Sequence, residues 1–145
     1  MLALTSDNIN LAMPIFINAL PDEWLKSLDR LNTLDVDHVI PGHGEITDKN
    51  AFGLMQEKIR IWLDIISRAI KEGIDLDGTK KKATGAKEFA DIPKEGPTAG
   101  LFYMNVESLY KALKIITRYI NAFLCKGNFD TSANKHKQYS FYSLL

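Results

Sequence analysis

The sequence predicts an α/β fold of two or three strands and three main helices, and three observations carry that prediction. Two short apolar runs, Leu2–Thr5 and His38–Ile40, have strand character. Long stretches around residues 20–34, 52–70 and 105–125 place apolar residues at helical spacing. The 145-residue chain is 46% hydrophobic, with 18 acids against 18 Lys plus Arg, the composition of one globular domain or part of one.

Taken in order, "MLALTSDNINLAMPIF" reads as a strand over Leu2–Thr5, a turn at Ser6–Asn8 and a further apolar stretch. In "LPDEWLKSLDRLNTL", Trp24, Leu25, Leu28 and Leu31 share a helical face. Pro21 suits the first turn, and Asp22 and Glu23 lie where the helix dipole favours acids. "DVDHVIPGHG" gives a brief strand, His38–Ile40, which Pro41 and Gly42 are expected to stop because proline has no ladder donor. Asp48 is the expected N-cap of the next helix, whose stripe is Phe52, Met55, Ile59, Trp62, Leu63, Ile66 and Ile70. Gly73 stands where that helix wants a left-handed residue.

Between Gly73 and Gly100 the pattern weakens to a polar loop with room for one short helix. Its Lys80–Lys82 cluster reads as solvated surface, since no strand or glycine-rich cradle precedes it to make a phosphate site. Helical spacing resumes through Val106, Leu109, Tyr110, Leu113, Ile116, Ile120 and Phe123, with Asn105 as expected N-cap. The tail after Gly127 is polar and aromatic, without a clear period.

The charge balance argues against nucleic acid or acidic membrane as the main partner, because both need concentrated positive charge. No run approaches the roughly 18 apolar residues of a membrane span, and no basic segment followed by an apolar one opens the sequence. The single cysteine, Cys125, allows no intrachain disulfide and fits a reducing compartment, so the cytoplasm is the expected location. Cys125 reads as a buried small hydrophobe on a helix rather than a catalytic thiol, with no histidine beside it in sequence.

The residue that invites chemistry is His43, between Gly42 and Gly44 where a strand hands over to a loop. Such a loop can hold an imidazole toward a cleft, as a metal ligand requires, and flanking glycines let the backbone turn sharply. A Gly-His-Gly triplet alone is a weak signal and favours a histidine in a structural turn over a metal ligand.

The wider context, strand, Pro41-Gly42-His43-Gly44, acidic Glu45, Asp48 and a long helix, resembles the last metal-ligand motif of the metallo-beta-lactamase fold hydrolases. "LALTSDNI" is similar to the family's strand that ends in an aspartate bridging two metals. "LPDEWLKSLDRLNTLDVDHVIPGHG" resembles the helix and strand linking the two motifs, and "IRIWLDIISRAIKEG" and "NVESLYKAL" resemble C-terminal helices of one branch. The resemblance covers residues 1–113 and leaves 114–145 as a helical extension and tail. It implies the C-terminal half of an αββα sandwich, with Asp7 as the bridging carboxylate and His43 as a ligand of the second metal. Ser6 stands where the family usually has glycine. His38 lies inside a strand at no ligand position, and His136 lies beyond the resemblance.

The family's His-x-His-x-Asp-His motif and its further histidine ligand are absent, and three histidines in all cannot supply them. A catalytic zinc centre needs about three protein ligands and an open water position. The complete family site holds two ions, zinc or, with the same donors, iron or manganese. The expectation is therefore a portion of a metal-dependent hydrolase of small molecules that is inactive alone and completed by an N-terminal half or by self-association. The alternative is a metal-free binding or assembly module derived from the same fold.

Overall fold

The computed structural model describes residues 1–96 and 98–125, with side chains through Asn121. The tail, His136 and the side chain of Cys125 lie outside the described residues. The fold is mixed α/β. Strand β1 (Leu2–Asn10) is followed by α1 (Pro21–Asn32), β2 (His38–His43), α2 (Asn50–Lys71), α3 (Leu76–Thr84), a 3-10 turn over Lys87–Phe89 and α4 (Ala99–Cys125). The strands pair in parallel, with Leu2 opposite His38 and Leu4 opposite Ile40, so β1, α1 and β2 form one βαβ unit. No helix among the described residues is long and apolar enough to cross a membrane.

Both strands run further than their apolar cores suggested. β1 continues through Ser6–Asn8, where a turn was expected. The ladder shifts register between Leu4 and Ser6 and again before Asn10, and Ser6 adopts a left-handed φ of 47°. The shift is a bulge, one residue of β1 left without an opposite number. β2 likewise passes through Pro41 and Gly42 rather than stopping. Pro41 faces Ser6 where the ladder is already broken, so its missing donor costs little. On its other side β2 is joined by an antiparallel bridge between Val39 and Thr47, with both N–H groups donating (2.8 and 2.9 Å).

The stripe predicted for α2 is the spine of the core. Phe52, Met55, Ile59, Trp62, Leu63 and Ile66 are all buried. Trp62 lies at the centre of an aromatic cluster, with ring centroids 4.3 Å from Phe89, 5.4 Å from Phe102 and 5.6 Å from Phe16. Asp48 caps the helix from one position earlier than its cap residue, Lys49: its Oδ1 accepts from Asn50 N at 2.8 Å. At the other end Gly73 has φ 73°, Gly73 N donates to Ile70 O and Ile74 N to Ala69 O, the paired bonds of a Schellman closure.

The short helix that the polar stretch after Gly73 leaves room for is α3, nine residues capped by Asp75, whose carboxylate accepts from Gly78 N at 2.8 Å. Two other expectations need correction downstream. The lysine cluster on α3 is not simply solvated: Lys80 pairs with Glu107 at 3.0 Å and Lys82 with Glu72 at 2.5 Å, which ties α3 to α4 and to the end of α2. Asn105 is no cap, because α4 starts at Ala99 and encloses it. Asn105 is fully buried; its Oδ1 accepts from Phe16 N (2.8 Å) and its Nδ2 donates to Pro14 O (2.7 Å). α4 also runs unbroken past position 113, where the resemblance ends.

Candidate metal centre and adjoining cleft

Parallel pairing brings the two predicted site residues together. Asp7, beyond the bulge of β1, and His43, the last residue of β2, face each other across the strands with Oδ1 and Nε2 3.5 Å apart. Both side chains are exposed. The approach depends on Gly42. A Cβ at that position would lie 2.6 Å from Asp7 Oδ1, 2.7 Å from Ser6 C and 2.8 Å from Asp7 N, so any side chain would push the two strands apart. Gly44, at φ 114°, turns the chain away against Leu11, while Leu11 N donates to the His43 carbonyl at 3.3 Å. The glycines flanking His43 thus do different work: one admits Asp7 and the other turns the backbone.

His38 sits at the opposite end of β2 and is exposed. At the usual rise of a strand it lies about 16 Å from His43, too far to share an ion. Among the described residues no group of three or more His, Cys, Asp or Glu side chains could hold a metal ion. The donors present therefore fit part of a site. Two ligand atoms bound at about 2.1 Å in tetrahedral geometry stand about 3.4 Å apart, close to the observed separation. The pair can occupy two positions of one ion and leaves the others to be supplied.

Beside Asp7 lies an open cleft of about 480 Å³, bounded by Ser6–Asn8 of β1, by the connection after it (Ile15 and residues 18–20) and by Glu23, Trp24 and Ser27 of α1. None of the connection's role was visible in sequence. Trp24, which reads as a stripe residue, donates from Nε1 to Asn8 O at 3.1 Å and packs edge-on against Phe16 at 5.9 Å. Lys26 donates to the Glu23 carboxylate at 2.7 Å, which lowers its pKa. Behind the connection, the Lys58 ammonium of α2 donates to Leu11 O, and its burial lowers its pKa. Asn105 reads as a helix cap in sequence; the apolar residues just before it, Leu101–Met104, are the signal that could have placed it inside a helix instead.

Scans of family models, curated proteins and solved structures find no match for this chain.

Proposed function

We propose that these residues are the C-terminal portion of a metal-dependent hydrolase of the metallo-beta-lactamase superfamily, half of its αββα sandwich, in which Asp7 and His43 each supply a metal ligand. The observation that supports this reading most is the Asp7–His43 separation of 3.5 Å, made possible by Gly42. The resemblance of the Pro41–Gly44 loop and the "LALTSDNI" strand to the family's motifs adds to it. Bound zinc, iron or manganese would supply a Lewis acid and an acidified water in the complete two-ion site. Asp7 and His43 hold two ligand positions and orient them; the remaining ligands come from a complementing N-terminal half that carries the histidine-rich motif, or from the Asp7 and His43 of another copy. The substrate is a small molecule, and the 145-residue chain alone is expected to be inactive because two ligands neither retain an ion tightly nor acidify its water.

Metal content tests the reading. The chain is purified with zinc, iron and manganese available and compared with His43→Ala by elemental analysis. Near-stoichiometric metal that is lost in the variant is the expected result for a site completed by self-association. Metal-dependent ester or thioester hydrolysis by the monomeric chain would overturn the expectation of inactivity.

The second reading, a metal-free assembly module, is favoured by a sheet face and edge that stay uncovered among the described residues. Leu2, Leu4 and Ile46 are exposed, at 56%, 77% and 66%, although parallel sheets normally have both faces covered. Absence of metal from both proteins, together with concentration-dependent association in sedimentation, would favour it.

A further inference from the structure

We propose that the cleft beside Asp7 is a preorganised recess for the uncharged, apolar body of a small molecule, anchored on Trp24. This deepens the hydrolase reading, and rests on it, by naming the substrate class as a neutral acyl ester or lactone rather than a phosphoester or a free acid. The binding step itself requires no metal.

The first argument is the lining. Ile15, Ala19, Leu20 and Trp24 give the cleft its apolar walls, while its charged groups are Asp7 and Glu23. Among the described residues no lysine or arginine lines it, and Lys26 offsets part of the charge of Glu23 from outside. An anionic body placed there meets two carboxylates, whereas an uncharged body meets hydrocarbon, an indole and the uncharged polar groups of Ser6, Asn8, Asn18 and Ser27. The volume of about 480 Å³ suits a small ligand.

The second argument is rigidity. The connection that forms one wall is held from behind at successive points. Asn10 Oδ1 accepts from Ala12 N (3.1 Å) and Met13 N (3.3 Å), Lys58 donates to Leu11 O, and buried Asn105 bonds both Pro14 O and Phe16 N. Trp24 is fixed at its nitrogen by Asn8 and along its ring by Phe16. A recess with walls already in place spends little binding energy on ordering them. Asn105 is thus a positioning residue for the cleft.

The test uses the full chain with metal removed by chelation, and two probes that share a six-carbon acyl chain, methyl hexanoate and hexanoate. The two tryptophan indole N–H signals in a nitrogen–proton spectrum report separately on the cleft (Trp24) and the core (Trp62). We expect methyl hexanoate to shift the Trp24 signal saturably and leave that of Trp62 in place, with hexanoate about tenfold weaker. Asp7→Asn narrows the gap between the probes, Ser27→Trp fills the recess and abolishes the shift, and Asn105→Ala weakens binding with the Trp62 signal retained. Equal affinity for the two probes, or no saturable shift with the ester, would overturn the proposal. Ester binding by a chain that holds no metal in the preceding test would leave the recess standing while the hydrolase reading falls.

Discussion

The two ends of the molecule are built on opposite principles. Three aromatic rings, from the β1–α1 connection, the 3-10 turn and α4, pack within 6 Å of Trp62 of α2 centroid to centroid, and Trp62, Phe89 and Phe102 are at most 1% exposed. At the sheet end, two strands pair through a ladder broken twice, Leu2 and Leu4 are exposed on one face, and the two residues of chemical interest are both exposed. The helical end can supply the stability that the sheet end lacks, since a two-stranded sheet is marginal by itself. The lesson concerns division of labour. The hydrophobic effect secures the scaffold, and the site depends on how closely two backbones approach.

Emptying the aromatic cluster is the strongest way to challenge that contrast. Trp62→Ala should cost about 3–5 kcal/mol in chemical denaturation, from lost burial and the cavity left behind. If the loss were no larger than that of a sheet-end substitution, the helical end would not be the dominant source of stability. Gly42→Ala is the sheet-end counterpart. Its Cβ would meet Asp7 and Ser6 atoms at 2.6–2.8 Å, and about 1–3 kcal/mol of overpacking is expected. Its more informative result is loss of any metal binding, with unchanged far-ultraviolet dichroism showing that the helices persist.

Smaller effects sharpen the comparison. Ser6, at φ 47°, carries a side chain in backbone space that glycine occupies freely, so Ser6→Gly should stabilise by about 0.5–1 kcal/mol in the same denaturation assay. A destabilisation would mean that the bulge is held by the Ser6 side chain. On the helical end, hydrogen bonds from Lys111 and Lys80 lower the Glu107 pKa from 4.5 to about 2. A carboxylate with a depressed folded pKa contributes stability above about pH 4.5, and that contribution is lost as pH falls toward about 2. Glu107→Gln should therefore flatten the melting-temperature profile between those limits, with only a small change at neutral pH because the pairs are partly exposed. An unaltered acid limb would show that the α3–α4 ion pairs add nothing to the helical end.

How much of this was legible follows from how local each signal is. The stripes of α1 and α2, the left-handed Gly73 and the acid-rich first turn of α1 are properties of neighbours along the chain, and they could be read directly. α3 was harder to see because only Thr79 and Ala83 are buried along its length, too few to make a period. Asn105 looked like a cap because asparagine before an apolar run is the usual N-terminal signal. Its partners, Phe16 N and Pro14 O, are about 90 positions away in sequence and could not be anticipated.

The sequence by itself determined the mixed α/β class, the core face of the long helices and the residue types available for chemistry. Asp7 and His43 could be named as a pair through a resemblance, since 36 positions separate them. Only the tertiary structure decided that they stand 3.5 Å apart, that Gly42 rather than Gly44 admits the contact, and that a cleft held from behind by Asn105 opens beside Asp7. Side-chain periodicity acts over a few residues, and so leaves its mark in sequence. Strand pairing, close backbone approach and long-range hydrogen bonds exist only once the chain has closed on itself.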